Sequence, residues 1–517
     1  MAWRDGYITD IAYTTGFYRE LAPGFLNFVA ALQGMAAPDP AQPFRYAELG
    51  CGQGFGTNIL AAAYPHGQFT GIDFNPAQIA NAREMATQAD LPNVAFREES
   101  FAQAAEVDDA TLPPVDFIAL HGIYSWISRD NQNAIRRFID RKLRPGGLVY
   151  ISYNCQPGWA AMGPVQRLLH EHARRHPGRS DTQMDGALDF AMKLSEKDLG
   201  YFTQNPTVPK RLAGMEDKAT AYLAHEYLND AWTPLYITDV AADMAEAKLD
   251  YLGSASLLEN FASLALPPKA REMVQAEPDP LFRELLKDYA VNKAFRRDVY
   301  VKGGRALSEP RKRERLAALG FAPLKPHTDM SFKFQTPLGE ATGQESVYAP
   351  IADAVAGGAE SGTAPGADFA AIVRAIGGDS AKALQALAAL TFSGQIHPTL
   401  PPVDPAPARR LNEAVAERAL AGEAYRYLAA PGIGNGIAAN DVDSVALSVL
   451  MDGGVASARD LAAGVWARFS GGGRRMVRDG KAVDSDAENV AELEGRVAPV
   501  LANSVPLWRT LGLLPAS

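Results

Sequence analysis

Between Tyr46 and Pro76 the chain reads YAELGCGQGFGTNILAAAYPHGQFTGIDFNP. A short apolar run, YAEL, meets four glycines at alternate positions, Gly50, Gly52, Gly54 and Gly56. A helix-compatible stretch, a second run FTGID and a lone acid, Asp73, follow. A loop of this kind between a strand and its helix lets a ligand approach backbone atoms that a Cβ would keep away, a need that Gly50, Gly52 and Gly54 meet. The span is the opening unit of a doubly wound α/β sheet.

The pattern continues to residue 154. After FTGID come a helix, NVAFRE, VDFIALH, a second helix and GLVYISYN, so apolar strands alternate with amphipathic helices. That order predicts a parallel sheet whose crossovers are helical. Asn75 is placed to cap the helix after Asp73, and Pro76 suits its first position, where a missing N–H costs nothing. From about Asp130 a helix sets Ile135, Phe138, Ile139 and Leu143 on one face and stops at RPGG.

Which nucleotide the loop holds is narrowed by its spacing. A dinucleotide fingerprint reads G-x-G-x-x-G, yet the sixth position counted from Gly50 is Phe55, and from Gly52 it is Thr57. What remains is E-x-G-x-G-x-G from Glu48, with Asp73 ending the second strand. A carboxylate there can accept both hydroxyls of a ribose.

At their mutual distances AELGCGQG, GIDFNPAQIANAR and LRPGGLVYIS resemble the class I S-adenosylmethionine-dependent methyltransferases. Further strings, LHGIYSWIS, YNCQPGW, HEYLNDAWTPLYITDVA, YLGSASLLEN, VNKAFRRDVYV and YRYLAAPGIGNGI, look like the branch that carries a methyltransferase regulatory domain, which includes the rickettsial outer-membrane-protein lysine methyltransferases. The resemblance covers most of the chain, is specific over 220–300 and loosens after about 330.

It implies S-adenosyl-L-methionine as cofactor and S-adenosyl-L-homocysteine as product. Glu48, Gly50, Cys51, Gly52 and Gly54 would border the methionine part, Asp73 would hold the ribose, and Phe74 would lie against the adenine. Many of these enzymes end the third strand in an acid that binds the adenine amine. Here Ser100 stands in that place, with Phe101 as a stacking partner. His121, Gly122 and Ile123 would face the cofactor, and Tyr124 and Trp126 the substrate, unless these two aromatics pack under the next helix. Tyr13 and Tyr18 would close over the methionine end, or belong to an amphipathic helix docked on the core. Cys51 reads as a packed spacer.

For catalysis, Tyr124, Tyr153, His225 and Tyr227 are candidates to steer the acceptor, with Asn154 as a substrate contact. His225 also fits a structural histidine. HEYLN lacks the second histidine of H-E-x-x-H, and of His170, His172 and His176 only the last two share a helical face. No metal is expected.

The chain has 517 residues, too many for one core. We expect a segment 1–43 covering the cofactor site and a Rossmann-like core over 44–160. A helical insertion and candidate dimerisation element follows over 161–220, then the regulatory domain over 221–325. A C-terminal α+β domain occupies 326–517, and its stretch 367–398 reads as winged-helix-like. The fold class is thus α/β, a doubly wound core with largely helical accessory domains. Segment 355–368 has the composition of a linker.

A net charge of -10 argues against nucleic acid as partner, the basic clusters at 170–179, 309–315 and 471–481 reading as solvated faces. No apolar run reaches membrane-span length and no secretory signal is visible. Two cysteines exclude a disulfide framework, and the expected setting is the cytoplasm. The first expectation for function is methylation of protein lysines. The second is a small-molecule O- or N-methyltransferase, and the third a cofactor-binding scaffold. A homodimer is possible.

Overall fold

A computed structural model of the chain describes residues 6–11, 15–360, 366–478 and 481–515. Its centre is a seven-stranded sheet in the order β3-β2-β1-β4-β5-β7-β6. The strands are β1 (Arg45–Leu49), β2 (Gln68–Asp73), β3 (Val94–Glu98), β4 (Val115–Leu120), β5 (Leu143–Asn154), β6 (Leu249–Ser254) and β7 (Phe295–Lys302). Strands β1 to β5 are parallel, as read from sequence, whereas β7 runs antiparallel to both β5 and β6. The regulatory stretch therefore extends the core sheet rather than standing apart from it.

Period-two alternation divides the sheet residues between two cores. Tyr46, Phe117, Ala119, Leu148 and Tyr150 face α1 (Pro23–Leu32) and α2 (Phe55–Ala63). Leu49, Ile118, Leu120, Val149 and Ile151 face α4 (Phe101–Glu106), α5 (Arg129–Lys142) and the helix Ile237–Glu246. Between β2 and β3 lies α3 (Pro76–Gln88), started by the Asn75 side chain, which accepts from Ala77 N at 3.0 Å. The helix start read from sequence is thus the one the chain uses.

Five helices between Gly163 and Tyr227 form the insertion around a separate core that includes Val165, Leu169, Met184 and Leu212. In the C-terminal region the strands Gly320–Pro323, Ala367–Asp368 and Ile396–Pro398 make an antiparallel sheet in the company of the helices Glu345–Glu360, Phe369–Ala375 and Ser380–Phe392. The helix Ala406–Leu420 then returns to the back of the core. Arg410 Nε donates to Ala89 O at 3.0 Å, and Arg418 Nη1 to Asn81 Oδ1 at 3.0 Å. Among the described residues no helix is long and apolar enough to cross a membrane. No group of three or more His, Cys, Asp or Glu among them could hold a metal ion.

Candidate active site

The loop after β1 turns back over β2, with Gly50 N and Cys51 N both donating to Ile72 O. Asp73, 7% exposed, anchors it: Gly52 N donates to Oδ2 at 3.0 Å and Asn75 N to Oδ1 at 2.9 Å. Burial raises the Asp73 carboxyl, while the amides of Asn75, Gly52 and Phe74 pull it down. Since a carboxylate offers about four acceptor positions, these amides do not saturate it.

The glycines of the loop serve different ends. At Gly52 (φ +54°) an added Cβ would meet only Gln78 Oε1, at 3.7 Å, and at Gly122 (φ +69°) it would meet nothing within 4 Å. These two leave open space over the backbone. At Gly54 the same atom would come within 2.4 Å of Ala82 Cβ and 2.6 Å of Phe96, so this glycine lets α2 approach α3 and β3. The Gly50 Cβ would touch Ile123 Cδ1 at 3.0 Å. Cys51 is a free thiol raised by burial, its sulfur packed over Gly71.

Glu48, at the end of β1, is buried and accepts from Thr57 Oγ1. Burial pushes it up to about 7, the Thr57 bond opposing and the nearby Asp73 charge adding to the shift. At the end of β4, His121 Nδ1 lies 2.9 Å from Tyr150 Oη and 3.0 Å from Ser152 Oγ. Ser152 Oγ in turn accepts from Gly122 N at 2.8 Å. Burial, helped by the Arg297 charge, pushes His121 down to about 3, so its imidazole is neutral. Tyr18 stacks on it at 3.6 Å between ring centres.

Between loop and N-terminal segment lies a cavity of about 90 Å³, walled by Thr15, Tyr18, Glu48, Gly50, Gly52 and His121 among others. Phe17 and Tyr18 also wall a groove of about 660 Å³ on their far side, with Arg19, Arg297, Lys325 and Tyr427. The groove runs between the N-terminal segment, the regulatory stretch and the C-terminal region.

Residues proposed from sequence are distributed unevenly over this site. Glu48, Gly50, Cys51, Gly52, Tyr18 and His121 line one cavity. Ser100 caps α4 through a capping box with Gln103, and the half-buried Phe101 packs on the α5 side of the sheet. Tyr124 is wholly buried and donates to Asp243 Oδ2 at 3.2 Å, where Arg129 also binds. Tyr153 is likewise buried, its hydroxyl donating to Asp298 Oδ2 at 2.6 Å on β7. Tyr227 packs in the insertion beside Trp159, and His225 is buried under Tyr7. None of these four reaches the cavity. Tyr13 lies outside the described residues. Trp126, in the loop after β4, and Asn154, at the end of β5, stand close to Glu226, which was not among the site residues read from sequence. Tyr7, edge-on to Phe74 at 5.8 Å, was also missed, the sequence reading having singled out Tyr13 and Tyr18 in that segment.

A methyltransferase-domain family matches residues 44–204, and a predicted methyltransferase regulatory domain matches 219–302. An uncharacterised protein of Synechocystis sp. is 36% identical over 519 residues, spanning 99% of this chain and 100% of that one. PKMT2 from Rickettsia typhi, solved in complex with AdoHcy, aligns over 97% of this chain and 99% of its own with a TM-score of 0.69 at 18% identity. A trans-aconitate 2-methyltransferase of Methylobacterium nodulans is 32% identical over 111 residues, 22% of this chain and 38% of that one.

Fold and loop together define a class I methyltransferase that uses S-adenosyl-L-methionine. The chain belongs to the family of these enzymes that carries a methyltransferase regulatory domain. Its cleft fits that cofactor. The open backbone at Gly52 and Gly122 and the unsaturated, buried Asp73 carboxylate meet the needs of a nucleoside carrying a ribose diol.

Proposed function

We propose that the chain methylates lysine side chains of a protein, leaving S-adenosyl-L-homocysteine. The observation that carries this reading is the groove of about 660 Å³ that shares Phe17 and Tyr18 with the cavity at the glycine loop. Its walls come from the N-terminal segment, from Ala255 and Arg297 of the regulatory stretch, and from Leu324, Lys325 and Tyr427 of the C-terminal region, surfaces that a polypeptide substrate can span. The family resemblance to rickettsial lysine methyltransferases and the fold match to PKMT2 support the same reading. The two free cysteines accord with a cytoplasmic setting.

Bound in the cleft, S-adenosyl-L-methionine supplies a methyl group on a positively charged sulfur. Asp73 would take the ribose hydroxyls and Phe74 would lie against the base, while the Ser100 side chain is engaged in its capping box and Phe101 packs on the α5 side of the sheet. The backbone of Gly50 to Gly52, with Glu48, meets the amino-acid end. Neutral His121 and the ring of Tyr18 wall the cavity without adding positive charge, and an aromatic face favours a cation. Alignment and exclusion of water are the protein's main tasks in an in-line transfer.

Incubation of the chain with methyl-labelled cofactor and a bacterial lysate tests the reading. Labelled protein bands that yield methyl-lysine on hydrolysis are expected. Label confined to small-molecule extracts replaces it with small-molecule O- or N-methylation. Tight cofactor binding without label anywhere leaves a scaffold.

A further inference from the structure

The helix Thr220–Tyr227 ends the insertion, and Glu226 on its last turn is only 6% exposed. A buried carboxylate needs partners. Asn154 Nδ2, 72 residues away at the end of β5, donates to Glu226 Oε1. Trp126, from the loop after β4, and Tyr222, one turn back on the same helix, lie close enough to favour the charged carboxylate, and Lys218 acts on it through its charge. These partners are neutral donors apart from Lys218, which forms no ion pair with it among the described residues. Buried acids of this kind are usually paired.

The surroundings are aromatic and close to the donor cleft. Tyr7 and Tyr227 both feel the Glu226 charge. Tyr7 also feels Asp73 and stands edge-on to Phe74. Trp126 follows His121 and Gly122 in the same loop, and Asn154 follows Ser152 on β5. The acid therefore sits at the carboxyl ends of β4 and β5, the end of the sheet where the glycine loop after β1 opens.

We infer that Glu226 receives the charged nitrogen of the methyl acceptor and takes up its proton, with Asn154, Trp126 and Tyr222 holding the carboxylate in place. The inference rests on the amine-acceptor reading above. An ammonium has no lone pair with which to attack. One N–H proton passes to Glu226, giving a carboxylic acid and a neutral amine. The amine's pair forms the new N–C bond while the pair of the broken S–C bond stays on sulfur. The product nitrogen carries the positive charge, and the proton on Glu226 leaves to water.

Burial pushes Glu226 up to about 7, against the opposing effects of Asn154, Lys218, Tyr222 and Trp126. A base in that range is better matched to proton uptake near neutral pH than an ordinary glutamate. It is competent when ionised, so transfer should fall as pH drops through about 7.

Sinefungin, which carries a primary amine in place of the methylsulfonium, tests the placement without turnover. It presents a charged nitrogen beside the acceptor position, whereas S-adenosylhomocysteine presents a thioether. Calorimetric titration of the full chain with both ligands at pH 8 should show a sinefungin preference that Glu226→Gln reduces about tenfold or more, the worth of a charge-assisted bond. S-adenosylhomocysteine affinity should stay unchanged and report an intact cleft. In the wild type the preference should fade from pH 8 to 5.5. That second measurement needs no variant.

A sinefungin preference equal in wild type and Glu226→Gln, or flat across that pH range, overturns the inference. Methyl-lysine in lysate proteins is scored separately. A Glu226-dependent preference without methyl-lysine retires lysine as the acceptor and keeps the amine site. Methyl-lysine with a Glu226-independent preference retires Glu226 instead.

Discussion

The donor side of the cleft is drawn from one stretch, Glu48 to Asn75, and is made largely of backbone held by Asp73. The proposed site for the acceptor nitrogen, around Glu226, is drawn from Tyr7, the loop after β4, the end of β5 and the helix Thr220–Tyr227, and is made of side chains. A ligand shared by many enzymes is met by local chain geometry, which few substitutions alter without loss. An acceptor that differs between enzymes is met by side chains on separate elements, each able to change alone.

Asp73→Ala strikes the donor side hardest. It removes the anchor of Gly52 and Asn75 together with the proposed acceptor for the ribose. Two bonds to a charged group at about 2 kcal/mol each correspond to about 10³-fold weaker S-adenosylhomocysteine binding by calorimetry. Trp126→Phe, on the acceptor side, should leave that affinity within about threefold, because sites without shared partners act independently. Equal losses from both would break the division into two sides.

That division also governs what could be read from sequence. β1 to β5, the Asn75 cap and the Asp73 position follow from periods and turn residues within a few residues of each other, and all are present. β7 escaped because near its start it carries three consecutive charged residues, Arg296, Arg297 and Asp298, which break the strand alternation and read like an exposed loop. In the fold Arg296 is wholly buried, bonding Asp298 at 3.0 Å and Asp288 at 2.5 Å. No local pattern announces an ion network whose members lie on different elements. Tyr153 stood out because it nears a strand end, but the pleat sends it toward Asp298. Glu226 gained its meaning only from Asn154 and Trp126, which chain distance hides.

Glu48→Gln sharpens the comparison with two opposite signs. The Glu48 carboxyl sits at about 7 in the folded chain against an ordinary 4.5. A raised acid contributes stability that is present below its ordinary value and lost as pH rises through about 7. The wild type at pH 8 therefore holds an unfavourable buried charge. The amide should raise thermal stability at pH 8, by up to about 3 kcal/mol, and change it little at pH 4. S-adenosylhomocysteine binding should weaken at the same time, marking an acid kept for its ligand. A variant that is no more stable at pH 8 would remove Glu48 from that role.

Within the donor loop itself, Gly54→Ala and Gly52→Ala should separate. At Gly54 (φ +68°) the Cβ would overlap Ala82 and Phe96, an overpacking worth about 2 kcal/mol of stability on top of the left-handed backbone term, with ligand affinity kept in the folded fraction. The Gly52 Cβ has space, so the stability loss is the left-handed backbone term of about 1 kcal/mol, and the affinity falls because the atom occupies the cradle. Denaturant titrations with and without S-adenosylhomocysteine distinguish them. Parallel behaviour would mean that packing and cradle are one function.

Tyr124→Phe should have the smallest effect. The hydroxyl donates to Asp243, which remains paired with Arg129, so the carboxylate is not stranded when the hydroxyl goes. Losing one such bond costs about 1 kcal/mol of stability, read as a modest shift in the denaturation midpoint. Affinity for S-adenosylhomocysteine and the rate of transfer should both hold. Tyr124 links the loop after β4 to the helix Ile237–Glu246, so its work is to dock the regulatory stretch. A fall in rate without a fall in stability would instead bring Tyr124 back to the acceptor side, beside Glu226.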